Sequence, residues 1–213
     1  MGTGEYLFLF RGLQWTLALS AVAFACGALS GLPIALARTS PWPVLQRLTA
    51  GYIALFQGTP LLMQLFVTYY GLALLGLSLD AWVAVAIGFT LHASAYLGEI
   101  WRGAIEAVPS GQSEAAKALN LGYASRMVDV VLPQALRISL PATIGFLVQL
   151  IKGTSLAAFV GFTELARSGS QLSNQIFKPL LVFGIVGALY FAICWPLSLY
   201  GARLERRLAG TAR

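Results

Sequence analysis

The sequence predicts an all-α membrane protein of five transmembrane helices, with a long cytoplasmic connection between the third and the fourth. Three observations predict it. First, the 213 residues are 58% hydrophobic and 10% charged, with a mean hydropathy of +0.75. A soluble domain carries about 25% charged residues, so this chain has too few ions to coat a water-facing surface. That excludes a disordered chain, a soluble α/β enzyme and an ordinary secreted domain. Second, the charges fall between apolar runs close to the roughly 20 residues that a bilayer crossing needs. Third, one stretch, 99–137, interrupts this apolarity with polar and charged residues.

The elements follow in order. Residues 12–37 carry no charge and hold the first span, about 15–36. The next charge-free run is interrupted by Gln57-Gly58-Thr59-Pro60, so the second span is placed at about 61–77, with 48–57 as an interfacial or partly re-entrant lead-in. The third span is about 81–98, the fourth about 140–161 with one charge inside it, Lys152, and the fifth about 179–200. An odd count puts the termini on opposite sides. One side holds ten basic residues (Arg38, Arg47, Arg102, Lys117, Arg126, Arg137, Arg203, Arg206, Arg207 and Arg213) and the other holds three, Arg11, Arg167 and Lys178. Excess Lys and Arg mark the cytoplasmic side, so the amino terminus is expected outside and the carboxyl terminus inside. The same bias accounts for the net charge of +6. The basic residues form no stripe, and nucleic acid is not an expected partner.

The start has no basic head before its apolar run and does not read as a cleavable signal. No internal repeat occurs, and 1–213 reads as a single domain. Cys26 and Cys194 lie in apolar runs and read as packing residues. The histidine and cysteine residues form no cluster, so no metal site is expected. Gly27/Gly31 and Gly184/Gly187 read as points of close helix packing.

Within the polar stretch, Arg102 stands three residues from Glu99 and four from Glu106, so the third span is expected to continue as a charged helix. Pro109-Ser110-Gly111 breaks it. A helix of about two turns is expected over 113–122, with Glu114 in its first turn and Gly122 as its left-handed stop. Its face of Ala115, Ala118 and Leu119 is small and partly apolar. A new helix is expected to start at Val131-Leu132-Pro133. On the residues alone this segment is either a solvated cap of the bundle or a docking helix for a cytoplasmic subunit.

Glu114-Ala115-Ala116, Gly122 and the later Leu132-Pro133 resemble the EAA loop of ABC-importer permease subunits. Other blocks are similar to the histidine/glutamine/arginine branch of that family: Gln57-Gly58-Thr59-Pro60-Leu61-Leu62, Tyr96-Leu97-Gly98-Glu99-Ile100-Trp101-Arg102-Gly103, Val108-Pro109-Ser110-Gly111-Gln112, Leu132-Pro133-Gln134-Ala135-Leu136-Arg137 and Lys152-Gly153-Thr154-Ser155-Leu156. They occur in family order across nearly the whole chain. Two positions depart from the family pattern, which usually has arginine where Gln57 stands and an acidic or amide residue where Gly153 stands.

The resemblance implies a type I importer permease fold in the cell (inner) membrane, with a coupling loop at about 108–133. It implies a pathway built from two permease copies, identical or related, and two cytoplasmic ATPases that bind ATP and Mg. It also implies an extracytoplasmic solute-binding protein and a polar amino acid as cargo. Glu114, Ala115, Ala116, Leu119 and Gly122 would then engage the ATPase. This chain has no GxxxxGK[ST] loop, no catalytic residue is assigned, and hydrolysis would belong to the partner.

For the substrate pathway the candidates are Lys152, Thr154, Ser155, His92, Gln57 and Thr59. An ionisable group at membrane depth is a functional candidate by default, and Lys152 lies about two-thirds along 141–159 with two hydroxyl residues after it. A structural pairing of Lys152 is an equal alternative. His92 reads first as a helix–helix hydrogen-bonding group. Gln57, Thr59 and Gln64 form a polar stripe whose usual reason is interhelical packing. Glu164 and Arg167 read first as a surface pair and otherwise as part of an outer gate. The competing function is an ATP-independent secondary transporter or channel subunit. An intramembrane enzyme is disfavoured, since His92 and Ser94 point to different helix faces and no carboxylate accompanies them.

Overall fold

A computed structural model describes residues 2–211, which form helices and no strand. In chain order they are α1 (Thr3–Arg38), α2 (Pro43–Gly58), α3 (Leu61–Leu74), α4 (Ala81–Glu106), α5 (Ser110–Ala118), α6 (Tyr123–Val160), α7 (Leu165–Ile176) and α8 (Pro179–Thr211). Arg213 of the charge tally lies outside the described residues. Helices α1, α4, α6 and α8 are each long and apolar enough to cross a bilayer. Helices α2 and α3 pass that test only together, bent by 105°, and as one broken span they make the fifth.

Several boundaries differ from the expected spans. Helix α1 begins at Thr3 rather than near residue 15, and α8 runs past residue 200 to Thr211. Arginines at a membrane edge extend their stems toward the interface without ending a helix. Helix α4 continues to Glu106, and Arg102 pairs with Glu99 and Glu106 as expected. Helix α6 begins at Tyr123, ahead of the expected Val131, and contains a wide π turn over Arg126–Val131. Proline at 133 donates no backbone hydrogen bond and its ring crowds the carbonyl four residues back; the wide turn makes room for it. Helix α7 lies in a segment for which no helix was expected.

The break between α2 and α3 has a local cause. Pro60 cannot continue α2, and Thr59 before it is extended (φ −117°, ψ 143°), as a residue preceding proline prefers. The last carbonyls of α2 then need partners, because hydrocarbon offers none. Gln64 supplies them: its Nε2 donates to the Phe56 carbonyl at 2.7 Å and to the carbonyl and hydroxyl of Thr59 at 3.0 and 2.9 Å.

Helix α4 is the centre of the bundle, with Val85, Phe89, Ala93 and Leu97 in the largest apolar cluster. Helix α1 packs on it through glycines. A Cβ at Gly31 would stand 3.1 Å from the Ser94 carbonyl oxygen, and one at Gly27 would press on Ala93. The expected close packing holds there. It does not hold at Gly184 and Gly187, where nothing lies within 4 Å; they face outward from the bundle. Many large apolar side chains are exposed, Leu180 to 92%, an arrangement that hydrocarbon stabilises and water does not.

Candidate functional site

Where α2 breaks and α6 loses its regular turn, the chain leaves a cavity of about 500 Å³ between α3, α4 and α6. Four expected pathway residues line it: Thr59, His92, Lys152 and Ser155. Tyr96, Phe146 and Gln149 also line it, and sequence reading missed them. The helical spacing of Gln149 from Lys152 and of Tyr96 from His92 was the available signal, since residues three or four apart share a face.

His92 forms a hydrogen bond of 3.0 Å between its Nδ1 and the Oε1 of Gln64. The Gln64 amide nitrogen is engaged by the α2 carbonyls, so the oxygen faces the ring and His92 donates. The histidine is thus first a helix–helix fastener, as expected, and it also presents an edge to the cavity. Tyr96 lies beside it at a ring distance of 4.4 Å and stacks on Phe146 at 5.4 Å with 14° between planes. One wall is therefore aromatic and the other polar.

Lys152 is exposed, and no described residue forms an ion pair with it. Ser155 donates to the Lys152 carbonyl at 2.8 Å. Thr154 is not in the cavity: it is fully buried and donates to the Ile151 carbonyl at 2.7 Å. Gln57 is exposed but does not line the cavity. Consecutive side chains of the 3-10 turn Thr154–Val160 point about 120° apart, so the two hydroxyls face different sides.

The polar segment forms a separate feature. Helix α5 begins at Ser110, three residues before the expected Ser113, so Glu114 lies mid-helix rather than in the first turn. The left-handed stop is Asn120 (φ 58°), not Gly122, whose φ of −63° is ordinary and which instead caps the following turn. Asparagine tolerates that conformation better than most residues. Ala116 alone of the helix is buried, docked inward, while Glu114, Ala115 and Lys117 are exposed and the adjoining Leu119 is exposed to 76%. An apolar side chain and two small ones thus lie uncovered on a short helix beyond the spans.

Glu164 overturns its expectation. It is not in a surface pair: it is 0% exposed, and Arg167 instead donates to the Ala158 carbonyl at 3.2 Å. The Glu164 carboxylate caps α7, accepting from the backbone N–H groups of Ala166 and Arg167 at 2.9 Å each. It also accepts from the hydroxyls of Thr16 and Tyr190 at 3.2 and 2.8 Å. Four donors and the positive end of a helix hold the carboxylate, and among the described residues none forms an ion pair with it. The network ties α7 to α1 and α8, and Arg167 ties α7 to the 3-10 turn that follows Lys152.

The chain is similar to known proteins over most of its length. Residues 25–210 match the family described as binding-protein-dependent transport system inner membrane component. It is 36% identical over 205 residues to the probable amino-acid ABC transporter permease protein YckA of Bacillus subtilis (strain 168), covering 96% of this chain and 91% of that one. The L-cystine transport system permease protein TcyB of the same organism is 36% identical over 94% of this chain and 86% of its own length. Among solved structures, a chain of an amino acid ABC transporter crystallised with histidines superposes with a TM-score of 0.88 at 33% identity, covering 95% of this chain and 94% of that chain. The methionine transporter MetNI in an inward-facing form shares the fold, with a TM-score of 0.83 at 24% identity over 97% of this chain and 99% of that chain.

Proposed function

The chain belongs to the family of binding-protein-dependent transport system inner membrane components, and from that membership we propose that it forms half of the membrane pathway of an ATP-driven importer of polar amino acids. It is a multi-pass inner-membrane permease subunit of an ABC transporter, and ATP hydrolysis is the work of a partner subunit. The finer reading is ours. Two permease copies, identical or related, enclose the pathway, two ATPases carrying ATP and Mg dock on the cytoplasmic face, and an extracytoplasmic solute-binding protein delivers the cargo. The arginine-rich end of the bundle, with α5, faces the cytoplasm and the amino terminus faces outward.

The observation that carries this reading is the exposure of α5. A helix this short is marginal in water unless it packs on something, and here only Ala116 packs inward. The outward residues Glu114, Ala115 and Leu119 are left to meet the ATPase, and Gly122 begins the return to the membrane. Motion of α5 passes through the π turn into α6, the helix that carries Lys152. Around the cavity, Lys152 offers a cation to a carboxylate, with Ser155, Thr59 and His92 as polar neighbours, so one rocking element links the nucleotide and the solute sites.

The test is uptake of radiolabelled polar amino acids by cells expressing the complete transporter. Glu114→Lys combined with Gly122→Asp should leave the permease inserted but stop ATP-driven uptake. Full uptake by that double variant, or uptake into liposomes by the purified chain without an ATPase, would overturn the reading in favour of a secondary transporter or channel.

A further inference from the structure

A groove runs along α1, α4 and α6, lined by residues other than those of the Lys152 cavity. Its membrane-depth part has a volume of about 820 Å³ and is lined by apolar side chains, among them Ala28, Leu29 and Leu32 of α1, Trp101 and Ile105 of α4 and Leu136 of α6. Ile105 also lines the next cavity along the same helices, of about 410 Å³, whose character is opposite. Arg38, Gln46, Ser113, Tyr123 and Arg126 line that second part. On α1, residues 25, 28, 29 and 32 share one face at helical spacing, and Arg38 and the capping Thr39 line the second part at the helix end.

The arginines at the polar end make no direct ion pair; the carboxylate that Arg38 acts on at longer range, Glu99, is held by Arg102. No described carboxylate forms an ion pair with Arg38 or Arg126. Arg38 reaches only the Gln46 carbonyl, at 3.5 Å, and its Nε is the one buried side-chain polar atom without a hydrogen-bond partner among the described residues. Arg126 lies over the Tyr123 ring at 5.4 Å. The carboxylate that also lines this end, Glu106, is already paired with Arg102. A buried guanidinium N–H without an acceptor is costly, and Arg38 shares its cavity with a second cation, Arg126; together they call for an anion.

The dimensions name the kind of anion. From Ala25 to Arg38, α1 rises about 20 Å, which is the depth of one leaflet, about 15 Å of hydrocarbon, plus its headgroup layer. At the polar end Trp42 is exposed to 67%, and tryptophan is enriched at membrane interfaces. We propose that this groove is a binding site for an anionic phospholipid, with an acyl chain along the apolar part and the phosphate at Arg38 and Arg126. Ser113 of α5 lines the phosphate end, so a bound lipid touches the helix assigned to ATPase coupling and bears on its position. The lipid site requires membrane embedding, but not the transport reading.

The transporter purified with its ATPase partner in detergent provides the test, by native mass spectrometry with phosphatidylglycerol and with phosphatidylcholine of identical chains. Phosphatidylglycerol should bind in preference to phosphatidylcholine. Arg38→Gln with Arg126→Gln should weaken its binding by about tenfold or more. Ala25→Trp, an exposed position that narrows the groove, should weaken both lipids. Arg47→Gln, outside the cavity, should change neither. Arg126→Gln alone gives the same sign of effect should the double variant fold poorly. The proposal is overturned by equal binding of the two lipids, by unchanged phosphatidylglycerol binding in the arginine variants, or by displacement with millimolar inorganic phosphate, which would make it a small-anion site. It is also overturned if the isolated permease binds the lipid and the ATPase-bound complex does not, since a carboxylate of the ATPase then occupies the cavity.

Discussion

Tyr190 of α8 donates a hydrogen bond of 2.8 Å to the carboxylate of Glu164, the residue that caps α7. The contact joins two helices through a buried negative charge. Thr16 completes it from α1, accepting from the Leu165 backbone N–H at 3.2 Å while donating to Glu164. Helix α7 fits here because its neighbours are small: a Cβ on Gly12 would collide with the Ser168 hydroxyl, and one on Gly169 would lie 2.7 Å from Val186 Cγ2.

Removing the Tyr190 hydroxyl should therefore be costly. Tyr190→Phe loses one hydrogen bond to a charged acceptor, a destabilisation of about 1.5 to 3 kcal/mol. Glu164→Ala removes a helix cap, about 1 to 2 kcal/mol by itself, and takes away the charged acceptor that the Thr16 and Tyr190 hydroxyls share. Its loss should exceed that of Tyr190→Phe. Thermal unfolding of the detergent-solubilised protein, followed by circular dichroism, ranks the two.

The glycines divide into two classes with opposite outcomes. Gly31→Val places side-chain atoms against the Ser94 backbone, which cannot move aside, and should cost about 1 to 3 kcal/mol. Gly184→Ala meets nothing within 4 Å and replaces a poor helix former with the best one, so stability should hold or rise by up to about 1 kcal/mol. Monodispersity on size exclusion after a heating series distinguishes them.

Gln64 holds the bend between α2 and α3. Gln64→Leu leaves the Phe56 and Thr59 carbonyls and the His92 Nδ1–H without their partner, at about 1 to 3 kcal/mol for each group that finds no other. The expected result is a less stable protein whose α2–α3 angle varies. Spin labels on α2 and α3 should give a broader distance distribution than in the wild type.

Lys152 behaves differently, because it holds nothing together. Lys152→Met should change stability by no more than about 0.5 kcal/mol, yet lower uptake by about tenfold or more if the cation meets a cargo carboxylate. Lys152→Arg should retain part of that activity. Unfolding and uptake measured on the same preparations separate transport loss from misfolding.

Much of the architecture was legible along the chain. Apolar runs located the crossings, Gln57-Gly58-Thr59-Pro60 located the break, and Glu99, Arg102 and Glu106 marked the continuation of α4, because each depends on residues near one another in sequence. The helix ends were less legible. A charge marks the edge of a hydrocarbon crossing, whereas a helix continues through an interfacial arginine when its backbone bonds are satisfied. Asn120 taking the left-handed turn in place of Gly122 is a similar local contest, since both residue types tolerate that conformation.

Composition and apolar spacing alone determined that this protein lies in a membrane as a helical bundle with one polar elbow, since hydrocarbon admits few other backbones. Only the tertiary structure decided that Glu164 is buried, that His92 serves Gln64 and that Ser155 rather than Thr154 faces the Lys152 cavity. Each of those outcomes depends on the packing around the residue. Thr16 lies 148 residues from Glu164, and no local pattern encodes which distant donors will surround a carboxylate once the helices have packed.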